Sequence, residues 1–223
     1  MSCSKEFMSD SQTSSYKLSI IVCTKNRPNE LSTCLNSIIT QTVEPHEIII
    51  VDGSTVANFV ETLKTTLKLP RKWKRKITHI ESQTHALTAD RNTGVKNSEG
   101  DILFFFDDDV ILDCNYLREV VKIFVEDKEE KVGGVMGNIT NVLSKGFKDT
   151  VKEVFARVFL LPGRGNGRFR VSGAPTFIEH KSEVCPVEFL SGCCMAYRRK
   201  VFGLEPAAIQ PVILDLTKKI SGC

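Results

Sequence analysis

The sequence predicts a single α/β domain built on a mostly parallel, Rossmann-like sheet that is doubly wound by helices. Short apolar runs rich in β-branched residues alternate along the chain with segments whose apolar residues recur at helical spacing. Hydrophobic residues make up 41% of the 223-residue chain, which is enough to bury a sizeable core. Several predicted strands also end in polar residues, and the carboxyl ends of parallel strands are where such sheets usually bind ligands.

The apolar pattern places the elements along the chain. Strands are predicted at residues 18–23, 48–51, 77–80, 102–106 and 132–139, with two shorter ones at 187–190 and 193–197. Helices are predicted at residues 29–40, 56–67, 86–97 and 147–161, and around Leu117, Val120, Val121 and Phe124. Residues 162–170 are predicted to be a loop rich in glycine and arginine.

Composition restricts the location and the partners of the chain. Residues 1–15 are polar and lack the apolar region of a secretory signal, so we expect a disordered leader there, a folded domain at 16–202 and an atypical tail at 203–223. The eight cysteines form no Cys-x-x-Cys pair, which favours free thiols in the reducing cytoplasm. No apolar stretch approaches the ~20 residues of a membrane span. A formal charge of +3 is too small to indicate a nucleic-acid partner.

Three consecutive acids, Asp107, Asp108 and Asp109, directly follow the predicted strand at residues 102–106. Because side chains alternate along an extended chain, we expect Asp107 and Asp109 to point the same way and Asp108 to matter less for a shared ligand. Two such carboxylates suit a hard divalent cation, Mg²⁺ or Mn²⁺, which prefers oxygen ligands and leaves positions for substrate phosphates. The alternative is an acidic turn that is stabilised by solvent alone.

Two further strand ends carry polar residues. Residues 24–28 follow the first predicted strand, and Asp52 opens the turn after the second. No Gly-x-Gly-x-x-Gly follows the first strand, which argues against a dinucleotide site, and the absence of Gly-x-x-x-x-Gly-Lys-Ser/Thr excludes a P-loop ATPase. A phosphate ligand would therefore be held by a metal ion and by side chains.

Five segments together resemble the motifs of glycosyltransferase family 2, whose members have the GT-A fold and use nucleotide-sugar donors. They are residues 18–28 (LSIIVCTKNRP), 49–55 (IIVDGST), 89–94 (ADRNTG), 100–109 (GDILFFFDDD) and 190–199 (LSGCCMAYRR). The segments occur in the family's order and cover about residues 17–202. Each segment is weakly specific by itself, whereas five in order make a specific match.

The resemblance implies a role for each matching residue. Thr24, Asn26 and Arg27 would line the nucleotide pocket, and Arg91 would lie near the donor phosphates. Asp52 would contact the nucleobase, typically that of UDP. The common family form has one more residue beside this acid, which leaves the identity of the base open.

The remaining matches fall at the acidic triplet and near the end of the matched region. Asp107 would approach the ribose, Asp108 would belong to the donor site, and Asp109 would bind Mg²⁺ or Mn²⁺. The residues expected to face the donor sugar and the acceptor are Gly192, Cys193 and Cys194.

The reaction implied by the resemblance is transfer of a sugar, with inversion, to a hydroxyl of a glycan or a lipid-linked acceptor. The family's general base lies in a downstream Glu-Asp motif, and no Glu-Asp pair follows the Met-Ala-Tyr-Arg-Arg segment here. The nearby carboxylates, Glu188, Glu205 and Asp215, stand in other contexts, so the catalytic base is unassigned. The second interpretation is therefore a nucleotide-sugar-binding remnant whose base was lost with its C-terminal part. The third interpretation, a nucleotidyltransferase, is weaker, because such enzymes usually have a glycine-rich first loop and this chain has none.

Two basic segments raise the question of a membrane contact. Residues 71–76 enclose the only tryptophan, Trp73, and the predicted helix at 147–161 runs into the arginine-rich loop. A solvated loop and a core-packed helix are the simpler interpretations. The alternative is a peripheral contact with the inner face of the membrane, where a lipid-linked acceptor would be met. The adjacent Cys193 and Cys194 are expected to be a small buried pair that lines the pocket, without a redox role.

Overall fold

The computed structural model describes residues 16–55, 73–83, 86–137, 162–165, 167–178, 184–190, 192–203 and 210–214. Several predictions lie outside these residues: the leader at 1–15, the helices at 56–67 and 147–161, and the carboxylates Glu205 and Asp215.

Ten strands occur in the described part of the chain. They are β1 (Leu18–Thr24), β2 (Glu47–Asp52), β3 (Ile77–Glu81), β4 (Ile102–Asp107), β5 (Val132–Gly137), β6 (Gly163–Gly165), β7 (Thr176–Ile178), β8 (Cys185–Pro186), β9 (Cys194–Arg198) and β10 (Gln210–Leu214). Eight form one sheet in the order β3-β2-β1-β4-β9-β5-β10-β8, while β6 and β7 pair separately. Only β9 and β8 run antiparallel to their neighbours, so six of the eight strands share one direction. The prediction of a mostly parallel α/β sheet is confirmed.

Three α-helices within the described residues flank this sheet. They are α1 (Pro28–Ile39), α2 (Leu87–Lys96) and α3 (Tyr116–Glu126), each within a residue or two of its predicted position. Helix α1 begins with Pro28, whose fixed φ and missing N–H suit the first helical position. Its buried residues Leu31, Leu35 and Ile38 recur at the spacing of one helical face, as the sequence pattern predicted.

The core lies on both faces of the sheet. Alternate residues of β1 face opposite ways, so Ile20 and Val22 join a cluster with α1 and α3, whereas Ile21 joins a second cluster on the α2 side. Strands β1, β2 and β4 are buried at all but one residue each, which explains why their sequences are apolar runs without polar alternation.

Two predictions about the outer elements are wrong. The short strand expected at residues 187–190 is absent, and the strand in that region is β8, two residues earlier. The predicted loop at 162–170 contains β6, which pairs with β7. Trp73 is only 2% exposed and belongs to the core, so it does not provide a membrane-surface contact. In addition, β10 lies in the segment that we treated as a tail, and it pairs with β5 and β8.

Helix α2 packs closely against β1 because it carries a glycine at the contact. A Cβ atom on Gly94 would lie 2.4 Å from Cγ2 of Ile21, which is fully buried. Real Cβ atoms do not approach side-chain atoms that closely, so either the helix or the strand would have to move.

We therefore expect Gly94→Ala to lower the free energy of unfolding by about 1–3 kcal/mol, the usual cost of overpacking a core. Gly203→Ala is the matched control, since a Cβ there would meet nothing within 4 Å. Urea denaturation of the two variants measures the difference. Equal stability of both would contradict the close approach of α2 and β1.

Candidate functional site

An open cleft of about 320 Å³ lies at the carboxyl ends of the parallel strands. It crosses the turns that follow β1, β2 and β4, and the first turn of α2 forms one wall. The lining residues are Cys23, Thr24, Lys25, Arg27, Gly53, Leu87, Asp90 and Asp108. The cleft thus occupies the sheet edge at which the sequence predicted a ligand.

The turn after β1 is fixed by hydrogen bonds to the turn after β2. Asn26 has a φ of +57°, a left-handed conformation that asparagine tolerates better than most residues. Its backbone N–H donates to Ser54 Oγ at 2.8 Å, and its Oδ1 accepts from the N–H of Thr55 at 3.1 Å. The N–H of Gly53 also donates to the carbonyl of Thr24 at 2.9 Å. Asn26 therefore holds two cleft-forming turns together.

The acidic triplet does not continue the strand. Strand β4 ends at Asp107, so the alternation of faces that we expected to align Asp107 with Asp109 does not extend to Asp109. Asp108 is instead the buried member: Thr24 Oγ1 donates to its Oδ2 at 2.8 Å and Arg27 Nη1 to its Oδ1 at 3.1 Å. The side chain of Asp109 is 57% exposed and meets the same guanidinium at 3.1 Å.

Arg91 joins the strand end to the segment before β9. Its Nη2 donates to Asp107 Oδ1 at 2.9 Å and to the carbonyl of Gly192 at 2.8 Å. The N–H of Asp107 donates to the carbonyl of Cys193 at 3.1 Å. Partial burial raises the pKa of Asp107 above its usual value, and the nearby Arg91 guanidinium opposes that rise. Four residues that the resemblance assigned to the donor site therefore lie together.

Cys194 does not lie with them. It is buried in the larger core cluster, where its Sγ donates to the carbonyl of Gly137 at 3.7 Å and its own carbonyl accepts from Tyr116 Oη at 3.4 Å. The expectation that Cys194 faces the donor sugar or the acceptor is not met. Cys23 does line the cleft, but burial raises the pKa of its thiol to about 12, so it is a poor nucleophile.

Asp52 lies behind the cleft wall. Its Oδ1 accepts from the N–H of Ser54 at 2.8 Å, and its Oδ2 lies 3.0 Å from His79 Nε2. The carboxylate is buried and is absent from the cleft lining. His79 was not singled out from the sequence. It pairs in register with Ile50, so it shares a face of the sheet with Asp52, a relation that only the strand register shows.

Five residues that line the cleft were absent from the predicted site: Cys23, Lys25, Gly53, Leu87 and Asp90. All except Leu87 lie within matched motifs and could have been included. Leu87 and Asp90 stand in the first turn of α2, where an exposed leucine and a buried acid reverse the usual pattern of a helix. The Asp90 carboxylate accepts a hydrogen bond from Ser82 Oγ.

A divalent cation fits the charge and the chemistry of this edge. The carboxylates on or beside the cleft are Asp52, Asp90, Asp107, Asp108 and Asp109, and the cationic side chains are Lys25, Arg27 and Arg91. Five acids against three cations leave an excess of two formal negative charges. Across the described residues, no three His, Cys, Asp or Glu side chains form a metal cage. Mg²⁺ is typically held by one or two carboxylates together with substrate phosphates, and Asp107 and Asp109 at the acidic strand end offer that number.

The described residues provide no obvious general base. Glu188 is exposed, and its Oε2 accepts from the N–H of Phe169 at 2.7 Å, which ties the loop after β8 to the loop before β7. No helix in the described ranges combines the length and the apolar character that crossing a membrane requires.

The fold and the position of the cleft define the class of the protein. A mannosyltransferase from Pyrobaculum calidifontis, solved with GDP-Man and Mn²⁺, superposes with a TM-score of 0.54 at 14% identity, over 84% of this chain and 46% of that one. GalNAc-T7, solved with UDP, GalNAc and Mn²⁺, superposes with a TM-score of 0.62 at 14% identity, over 89% of this chain and 42% of that one. The domain has the GT-A fold.

The sequence comparisons identify the family. The model of glycosyl transferase family 2 matches residues 19–203. The chain therefore belongs to glycosyltransferase family 2. It is 38% identical to the glycosyltransferase GlyA of Streptococcus pneumoniae over 111 residues, and this aligned region covers 49% of this chain and 15% of GlyA. It is 33% identical over 126 residues to an uncharacterised glycosyltransferase of Haemophilus influenzae, 56% of this chain and 36% of the relative. The aligned region thus covers 36% or less of the length of each of these two relatives.

The buried position of Asp108 generates a prediction about stability. Asp108→Ala removes the acceptor of the buried Thr24 hydroxyl, and a buried donor left without its partner typically costs about 1–3 kcal/mol. Asp109→Ala is the matched control, because its more exposed carboxylate should contribute much less. Urea denaturation compares the two variants. If Asp109→Ala proved the more destabilising, the assignment of Asp108 as the buried member would be wrong.

Proposed function

We propose that this protein transfers a sugar from a nucleotide-sugar donor to a hydroxyl acceptor, with inversion at the anomeric carbon and with the help of a divalent metal ion. The observation that carries the proposal is the contact of Arg91 with both Asp107 and Gly192. The Arg91 guanidinium thus connects the acidic end of β4 with the segment that the resemblance implies to face the sugar. Both lie at the edge of the sheet where the family motifs come together. Membership of glycosyltransferase family 2 supports the reaction class.

The cationic side chains would bind the donor diphosphate. Lys25 and Arg27 both line the cleft, and the Arg27 side chain is 52% exposed although it pairs with two carboxylates. Its bond to the buried Asp108 orients the guanidinium, so little conformational freedom would be lost when a phosphate oxygen binds. Arg91 would approach the same diphosphate from α2.

Asp107 and Asp109 are the residues that would hold the metal ion. When bound, Mg²⁺ or Mn²⁺ would neutralise the negative charge that develops on the leaving diphosphate. The Pyrobaculum calidifontis mannosyltransferase and GalNAc-T7 were both solved with Mn²⁺, which supports a divalent ion at a site of this fold.

The donor and the acceptor are proposed as classes. We favour a UDP-sugar with a GDP-sugar as the alternative, since the two solved neighbours carry UDP and GDP-Man respectively. The acceptor would be a glycan or a lipid-linked glycan under construction. A cytoplasmic location and a peripheral membrane contact stay predictions, and with Trp73 buried, the contact would depend on the arginine-rich loop alone.

The alternative function is nucleotide-sugar binding without turnover. An activated acceptor hydroxyl needs a base on the face opposite the leaving group, and among the described residues we assign no carboxylate to that task.

Calorimetric titration with UDP and GDP, with and without Mn²⁺, tests the donor site. We expect nucleotide binding that Mn²⁺ strengthens. Turnover on a panel of nucleotide sugars, with the anomeric configuration of the product read by NMR, then separates an inverting transferase from a binding protein. Failure of a folded sample to bind any nucleotide would contradict both functions.

Asp109→Asn should abolish the strengthening of UDP binding by Mn²⁺ and leave the folded state intact, because its exposed carboxylate is replaced by a neutral isostere. Glu126→Gln is the matched control, since that exposed carboxylate lies at the far end of α3. Calorimetry with and without Mn²⁺ measures the effect. Unchanged Mn²⁺ dependence in Asp109→Asn would remove this residue from the metal site.

A further inference from the structure

Residues 168–175, between β6 and β7, form a small hairpin with an exposed tip. The N–H of Arg170 donates to the carbonyl of Ala174 at 2.9 Å, and the N–H of Gly173 donates to the carbonyl of Arg170 at 2.8 Å. Gly173 has a φ of +79°, the left-handed conformation that commonly closes a three-residue hairpin loop. The hairpin is therefore held in a defined shape by its own backbone bonds.

The first residue of the hairpin loop is a valine. Val171 is 95% exposed, more than any other large apolar side chain in the described part of the chain. Gly, Pro, Asn, Asp and Ser dominate tight turns, so the turn itself does not account for a valine at this position. Phe169, two residues earlier, is 50% exposed. A single exposed apolar side chain is ordinary, but two within three residues give the hairpin an apolar tip.

Positive charge surrounds this apolar tip. Residues 162–178 contain three arginines and no Asp or Glu, so their formal charge of +3 equals that of the whole chain. Arg168 is exposed, and Arg170 is half-buried. One exposed acid touches the hairpin: Glu188 Oε2 accepts from the N–H of Phe169 at 2.7 Å. The surface at the tip is therefore cationic around an apolar centre.

The hairpin is joined to the segment implied to face the sugar. The ring centroids of Phe169 and Phe189 lie 5.1 Å apart. Phe189 precedes Gly192 by three residues, which span at most about 11 Å even when fully extended. The carbonyl of Gly192 accepts a hydrogen bond from Arg91 beside the cleft. A partner that bound the hairpin would therefore lie close to the proposed site of transfer.

We propose that the hairpin docks the protein on an anionic lipid bilayer, with Val171 inserted among the headgroups and the arginines bound to lipid phosphates. Binding to a membrane surface grows with buried apolar area and with attraction to anionic lipids, and the tip offers both. Arginine can keep its guanidinium at the headgroups while its stem lies along apolar atoms. A bilayer also provides an apolar environment for the exposed valine, which a soluble anionic polymer does not.

Docking by this surface does not depend on the proposed function. Only its consequence rests on that function: a lipid-linked acceptor would be met at the surface that carries it, beside the segment that faces the donor sugar.

The expected affinity is modest. One basic side chain close to an anionic membrane strengthens binding about fivefold, so three arginines give a factor on the order of 100. Attraction between exposed charges is screened by salt. Docking should therefore be reversible and salt-dependent, and it should need the apolar tip as well as the charge.

Flotation of the full chain with lipid vesicles tests the proposal. The chain should float with vesicles of equimolar phosphatidylcholine and phosphatidylglycerol, poorly with phosphatidylcholine alone, and less at high salt. Val171→Asp should weaken binding to the anionic vesicles about tenfold or more, since it removes apolar area and adds a charge that lipid phosphates repel. Ile111→Asp is the matched control, because Ile111 is 73% exposed outside the hairpin and the charge changes equally. It should have a clearly smaller effect.

A second pair of variants tests the arginines. Arg168→Gln should weaken binding about fivefold. Lys128→Gln, at an exposed lysine in the turn after α3, removes the same charge and should have little effect. Soluble polyphosphate presents similar phosphate groups without an apolar phase. At equal phosphate concentration it should not displace the protein from the vesicles.

Several results would overturn the inference. Equal binding of Val171→Asp and the unchanged chain would show that the tip is not inserted. Equal losses in Val171→Asp and Ile111→Asp, or in Arg168→Gln and Lys128→Gln, would indicate net charge alone. Complete displacement by polyphosphate would indicate an anionic polymer as the ligand.

Calorimetry with UDP and Mn²⁺ on the same samples separates this inference from the proposed function. Val171→Asp should bind UDP as the unchanged chain does, which also shows that the variant is folded. If the unchanged chain binds UDP but no anionic vesicles, the docking surface is wrong and the proposed function stands. If it binds the vesicles but no nucleotide, the proposed function fails and the docking surface stands.

Discussion

The in-register parallel pairing of β1 with β2 and β4 is the constraint on which the site depends. It places Thr24 level with Asp52 and Cys23 level with Asp107, so three strand ends reach the same edge of the sheet. These strands are buried on both faces, and the polar groups of the site can therefore lie only in the turns that follow them. A slip of one residue would reverse the faces of β1 and separate Thr24 from Asp108, so packing of the core and geometry of the site are specified together.

Charge pairing links the two sides of the cleft. Arg27 binds the acidic triplet from the β1 side, and Arg91 binds it from α2. Because Arg91 also holds the carbonyl of Gly192, a ligand phosphate that moved this guanidinium would alter the position of the segment implied to face the sugar. In the proposed donor site, recognition of the diphosphate and placement of the sugar would thus be coupled through one side chain.

The sequence was sufficient to predict the strands and helices that leave a pattern in their own residues. Apolar runs located β1, β2 and β4, and helical spacing located α1 and α3, because burial on one or two faces determines both patterns. Elements defined by pairing were missed: β8 has two residues, and β6 exists through its bonds to β7. The site divides in the same way. The polar strand ends were recognisable, whereas the burial of Asp108 and the contact of His79 with Asp52 depend on where a strand ends and which residues it pairs with.

A shared motif gives the position of a residue, whereas the contacts of its side chain depend on the local turn, as Asp52 illustrates. The common family form has one more residue beside this acid than the chain has here. In the shorter turn the N–H of Ser54, two residues on, reaches Asp52 Oδ1 and closes a local turn of the kind that aspartate favours. His79 holds the other oxygen, so the carboxylate is drawn back into the sheet edge. The Asp52 carboxylate is thus positioned by one local contact and one contact across the sheet, and the backbone of Gly53 is the part of this turn that lines the cleft.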